Sequence, residues 1–167
     1  MDKRIFHYTT AIHLQKILQS GELRADAKTA AQGERPTIWF STNPSCERSA
    51  LKMWRGEDGA SRGMTFTEMG ENIGAVRIEV SAADAPYNLD QHRAASGMTE
   101  LAHRSLLKAA RKLGANPREW RAAFEPVPAE RFLLIEVWVS HRWEKVDSTA
   151  PFMQAEETSE PASQATS

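Results

Sequence analysis

One cysteine, Cys46, is all that the 167 residues contain, so no internal disulfide can staple the chain. No apolar run approaches the length of a membrane span, which argues against an anchor. The opening MDKRIFHYTT lacks the apolar core and small-residue cleavage site of a secretory leader. These absences lead to the expectation of a cytoplasmic protein without membrane association. Net charge is also nearly missing: 21 basic residues stand against 22 acidic ones, which removes any global electrostatic case for nucleic-acid binding. Neither Gly-x-x-x-x-Gly-Lys nor Gly-x-Gly-x-x-Gly occurs, and the five histidines are scattered without the close spacing of ligand pairs. No phosphate loop, dinucleotide fingerprint or metal site is therefore expected.

What is present is a globular composition, with 41% hydrophobic residues and five tryptophans. The length suits one domain with a real core and is too short for two of ordinary size. Residues 1–147 are expected to form that domain. The segment 148–167 is polar, acidic and Ala/Ser/Thr-rich, with almost nothing to bury, and is expected to be a disordered tail.

Residues 5–26 (IFHYTTAIHLQKILQSGELRAD) organise the rest. A short strand carrying His7, Tyr8 and Thr9 runs into a helix whose Ala11, Leu14, Ile17 and Leu18 share one face. Thr9 or Thr10 is placed to cap it and Gly21 to end it. Residues 24–36 read as a surface loop and 37–40 as a strand that breaks at Ser41, Thr42, Asn43 and Pro44. Residues 45–54 are expected to form a short helix and 56–63, with three glycines, a mobile loop. Thr65 to Glu68 has the spacing of a capping box. The alternation of Val76, Ile78 and Val80 against Arg77 and Glu79 predicts a half-buried strand. Residues 81–97 read as irregular. A helix is expected over 98–114, capped by Thr99, striped by Leu101, Leu106 and Leu113 and stopped at Gly114, with another short helix over 116–124. The most apolar run, 131–140, is expected to be the central strand, with 141–146 extending it or pairing with it.

That last strand carries an oddity. At period two Glu136 falls between Leu134 and Trp138, and a carboxylate on an apolar face needs either a cleft or a partner such as Arg77. His7 is open in the same way, as a packed structural histidine or as part of a polar site with Tyr8 and Thr9.

The order of the pieces carries a resemblance. His-Tyr-Thr on a first strand, a helix ending Leu-Gln-Ser-Gly-Glu-Leu, a second strand Ile-Trp-Phe-Ser-Thr-Asn-Pro and a late strand bearing a glutamate resemble the ADP-ribosyltransferase superfamily, in particular its small bacterial and phage-borne members. The resemblance implies an α+β fold with a split, bent β-sheet core and flanking helices. It also implies NAD as substrate, an unspecified acceptor and a mono-ADP-ribosyl transfer. Mapped residue by residue, the first motif falls on His7, Tyr8 and Thr9, the second on Trp39, Phe40, Ser41 and Thr42, and the catalytic acid on Glu136, with Glu79 as its rival. His7 and Ser41 then hold the cofactor while Trp39 or Phe40 walls in the nicotinamide. Glycosidic cleavage of NAD passes through an oxocarbenium-like state, which a nearby carboxylate stabilises. Arg24, Arg35 or Arg62 is expected to meet pyrophosphate or an acidic acceptor. Two alternatives stay open: a non-catalytic module that binds a nucleotide or partner in the same cleft, and an enzyme resembling RNA 2′-phosphotransferases, which rely on His and Arg.

Overall fold

A computed structural model describes residues 4–147. The expected tail, 148–167, lies outside the described residues. Strand β1 (Arg4–Thr10) feeds directly into α1 (Ala11–Ser20). Thr10 occupies the N-cap without a side-chain capping bond; the helix start is held instead by the Ala11 N–H, which donates to the Gly74 carbonyl at 3.0 Å. Leu14 is fully buried on the inner face, and Gly21, at φ 75°, ends the helix in the left-handed conformation that glycine adopts without a Cβ penalty.

The chain continues through β2 (Glu22–Leu23), β3 (Ile38–Ser41), and the hairpin of β4 (Met53–Arg55) and β5 (Ser61–Gly63). Helix α2 (Phe66–Ile73) starts on the reciprocal Thr65 and Glu68 capping box that the spacing predicts. Then come β6 (Ala75–Ser81), α3 (Leu89–Ser96), α4 (Glu100–Leu113), β7 (Trp120–Ala123), β8 (Val127–Pro128), β9 (Leu134–Val139) and β10 (Arg142–Lys145). This is an α+β arrangement. Its main sheet has six antiparallel strands in the order β10-β9-β6-β1-β3-β7, and β2-β8 and β4-β5 form two small sheets.

The ladders of the main sheet are unequal. β1 pairs with β6 along its whole length, from Arg4 opposite Ser81 to Thr10 opposite Ala75, whereas β1 meets β3 at the single register pair Phe6 and Ser41. The sheet therefore consists of a four-stranded and a two-stranded part joined at one point. Ile5, Leu14, Ile38, Phe40, Val76, Ile78 and Val80 fill the core across that joint. Burial at about 1.5–3 kcal/mol per large aliphatic side chain holds the two parts together where the backbone ladder is sparse.

Several expectations are corrected. Residues 45–54 are not a helix: the Glu47 carboxylate takes the Ser49 N–H into a single 3-10 turn (Arg48–Ala50), and the segment then becomes β4. The loop over 56–63 contributes β5 to a hairpin. Within 81–97 lies α3, opened by a capping box of Asn88 and Gln91; its buried positions Leu89, His92 and Ser96 have helical spacing, yet only one is aliphatic. In α4 the buried face is His103 and Ala110, while Leu101 is 76% exposed. Residues 116–124 form a 3-10 turn and then β7, because Trp120 and Ala122 are drawn into the sheet against Ser41 and Trp39. The apolar strand β9 is second from the sheet edge and half-buried; β6 and β1 occupy the centre.

Candidate functional site

His7 sits where β1 and β3 separate. Its Nδ1 lies 2.9 Å from the Trp39 carbonyl, and a carbonyl only accepts, so Nδ1 carries the proton and Nε2 keeps a free lone pair. The ring packs edge-on to Phe40 at 5.7 Å. Burial lowers its pKa to about 4; the hydrogen bond to Trp39 acts in the opposite direction, while Lys52 and His13 lower the pKa further. At neutral pH His7 is an uncharged acceptor rather than a cation.

Two lobes of one cleft meet at this residue. His7, Tyr8, Trp39 and Lys52 line both. The first lobe, about 300 Å³, adds Phe6, Phe40, Ser41 and Trp120 and is aromatic in character. The second, about 730 Å³, is polar and adds Thr9, with His13, Lys16 and Arg24 as basic groups and Glu22 and Asp26 as acidic ones. Arg24 pairs with Glu22 at 3.8 Å, so the second lobe is of mixed charge, with Lys16 and Lys52 as its further cations; an aromatic slot beside such a channel suits a ligand with a planar ring and a polar, anionic middle.

The second motif is pinned from below. Ser41 is fully buried, and its Oγ accepts the Asn43 N–H at 3.2 Å. The Tyr8 hydroxyl donates to the Asn43 carbonyl at 2.5 Å, and burial pushes this phenol well above its usual range. Asn43 Nδ2 in turn donates to the Glu119 carboxylate at 3.1 Å, and the Thr42 N–H donates to the Glu119 carbonyl at 2.8 Å. Thr42 lines neither lobe, and its part is this backbone bond.

Of the three residues expected at one site, the structure brings His7 and Ser41 together and places Glu136 apart. His7 and Ser41 share the aromatic lobe, but Glu136 lines neither lobe. It forms an ion pair with Arg77 at 2.5 Å, with both side chains largely buried. Arg77 also donates to the Pro44 carbonyl and lies over the rings of Phe6 and Trp143. The rival, Glu79, is 4% exposed and pairs with Arg4 at 3.1 Å. Of the loop arginines, Arg24 reaches the polar lobe, Arg35 stacks on Phe124 and pairs with Glu125, and Arg62 pairs with Glu68.

Two cleft-lining residues, Glu47 and Lys52, have no counterpart among the expected ones; Glu119 lines neither lobe, but it holds Asn43 and directly precedes Trp120, which lines the aromatic lobe. Only the sheet order brings residues this far apart in sequence together, so no local spacing announces them. Residues 59–63 spell Gly-x-Ser-x-Gly, but Ser61 opens the exposed strand β5 of a hairpin, not the strand-to-helix elbow that such a nucleophile requires. Burial pushes the Cys46 thiol up to about 11, which leaves it a poor nucleophile. Among the described residues no group of three or more His, Cys, Asp or Glu gathers to hold a metal ion, and no helix is long and apolar enough to cross a membrane. No protein-family model, curated protein or solved structure matches the chain.

Proposed function

We propose that this chain is an NAD-dependent mono-ADP-ribosyltransferase on an ADP-ribosyltransferase-like split sheet, acting inside the cell on a macromolecular or small-molecule acceptor. The observation that carries the reading is the junction of an aromatic lobe and a polar lobe of mixed charge at the neutral His7, where the two parts of the sheet separate. The aromatic walls suit nicotinamide, Lys16, Arg24 and Lys52 suit the pyrophosphate, and the free His7 Nε2 is an acceptor for a ribose hydroxyl between them. In the reaction the ribose C1′–nicotinamide bond breaks with its electron pair leaving on nicotinamide, while the acceptor's lone pair forms the new C1′ bond and its proton is released.

A carboxylate near C1′ is the remaining requirement. Neither Glu136 nor Glu119 lines a lobe, but Glu136 is committed to Arg77, so within this reading the acid is assigned to Glu119, beside the joint of the two parts of the sheet. Two amides hold its oxygens, Asn43 Nδ2 at 3.1 Å and Asn116 Nδ2 at 3.2 Å, and the next residue, Trp120, lines the aromatic lobe. An amide-held carboxylate keeps its charge available to a developing cation, which an arginine-paired one does not.

Incubation of the full chain with adenine-labelled NAD and a cell lysate tests the reading. Label on an acceptor together with released nicotinamide is the expected result. Binding of NAD without transfer leaves only the non-catalytic binding module standing, and release of 2′-phosphate from RNA without use of NAD points to the phosphotransferase alternative.

A further inference from the structure

Glu47 is a carboxylate buried in a lobe whose other walls are mostly rings. Its residue exposure is 8%, and it lines the aromatic lobe with Phe6, Tyr8, Phe40 and Trp120. One oxygen, Oε1, accepts from the Ser49 N–H at 3.0 Å and from the Ser49 hydroxyl at 2.7 Å. The other oxygen has no hydrogen-bond partner among the described residues, and no cation lies within ion-pair distance of either. Lys52, the cation that lines the same lobe, is exposed. Oε2 is free to accept, so a ligand N–H that reaches it forms a charge-assisted hydrogen bond. A ligand bearing its own carboxylate beside Oε2 meets repulsion there; the donors of the lobe include Lys52 and the Trp120 indole N–H, which has no hydrogen-bond partner among the described residues and suits the carbonyl of a carboxamide.

We infer that Glu47 selects the ring seated in the aromatic lobe, accepting a hydrogen bond from an amide or amino group on that ring and turning away a ring that carries a carboxylate. The inference rests on the NAD reading above and deepens it: the group selected is the carboxamide of nicotinamide, and the group refused is the acid of the corresponding nicotinic acid dinucleotide. Ser49 is the positioning residue, since its two bonds to Oε1 fix the plane of the carboxylate and leave Oε2 for the ligand. A site built around a buried polar group discriminates by what that group is left without, which is a stronger filter than shape alone.

Titration calorimetry of the full chain with NAD and with nicotinic acid adenine dinucleotide reads this directly. The native protein is expected to prefer NAD on the order of tenfold or more, and Glu47→Gln to narrow the preference to about twofold, mainly through tighter binding of the acid. If Glu47→Gln does not fold, as judged by circular dichroism, Ser49→Ala carries the test, with an expected fall in preference of about threefold. Equal binding of the two dinucleotides by the native chain overturns the inference and leaves the NAD reading intact. Binding of neither overturns both, and a preference that survives the substitution at Glu47 removes the residue from the role.

Discussion

Two late glutamates, Glu136 on β9 and Glu119 at the head of β7, belong to the two parts of the sheet and are held in opposite ways. Glu136 lies in the four-stranded part, opposite Arg77, which in turn is opposite Tyr8 across continuous ladders. Its partner is a full charge, fixed further by two aromatic rings and a main-chain carbonyl. Glu119 lies in the two-stranded part, held by neutral amides of Asn43 and Asn116 beside the joint with β1. The difference is one of availability. A carboxylate neutralised by a buried guanidinium contributes to folding, because removing either partner strands the other, whereas one held by amides is oriented but not neutralised.

The comparison can be broken at either end. The largest effect is expected from Glu119→Gln, which is predicted to reduce ADP-ribosyl transfer by about 100-fold or more while the thermal midpoint stays close to that of the native chain. Transfer that persists in this variant and vanishes in Glu136→Gln returns the acid to β9. Glu136→Gln should act instead on stability, costing about 2–3 kcal/mol in a urea titration because the Arg77 guanidinium is left in a largely buried position without its charge partner.

A third prediction concerns the joint itself. The ordinary histidine value near 6.5 falls to about 4 for His7 in the folded chain. Above 6.5 the ring is neutral in both states and its packing contributes in full. As pH falls from 6.5 towards 4 the unfolded chain takes up a proton that the folded chain refuses, so stability declines, and below about 4 the loss from this residue is complete. About 2 kcal/mol is expected from His7 over that window once the partial exposure of the ring is allowed for. Chemical denaturation of the native chain and of His7→Asn at pH 7 and at pH 5 should show a smaller pH effect in the variant. Burial lowers the pKa of His92, whose ring lies 4.4 Å from that of Trp39, so His92 supplies a residual slope of the same sign. A fourth and smaller effect sharpens the four-stranded side. A Cβ at Gly70 meets Trp138 Cδ1 at 2.5 Å, so Gly70→Ala is expected to push α2 off β9 and to cost about 1–2 kcal/mol in the same titration, a loss that should leave ligand binding at the cleft unchanged.

Much of this arrangement was legible from residue order. The stretches over α1, β6 and α4 carry regular aliphatic spacing, and β1 and β3 carry short runs of β-branched and aromatic residues that end at turn or cap signals, so local physics decides such segments. Where the pattern is carried by other residue types, spacing misleads. The buried side of α3 is completed by His92 and Ser96, which hydropathy does not count as apolar. In β7 the Trp120 and Ala122 alternation is too short to outweigh the Asn116 and Pro117 helix-start signal. In β9, Ile135 and Val137 pack on the main core, while Trp138 packs with Phe66 and Trp143 towards the edge strand β10, so an apolar run does not by itself mark the centre of the sheet. Of the residues that line the cleft, His7, Tyr8, Trp39, Phe40 and Ser41 were singled out from the order of the short motifs that carry the resemblance, on the two strands β1 and β3. Glu47 and Lys52 were not, because residues 45–54 read as a helix, whereas the chain forms a 3-10 turn there and lays both residues along the cleft.

The proton on His7 Nδ1 has one further consequence, for heat rather than for affinity. An imidazole that stays neutral on both sides of the binding equilibrium exchanges no proton with the solvent, so capture of a ligand at pH 7–8 draws nothing from the buffer through this residue. The part of the association enthalpy that passes through His7 should then be the same in phosphate and in Tris, whose ionisation heats differ widely, so a difference between the two buffers would belong to the other titratable groups of the cleft, His13 among them.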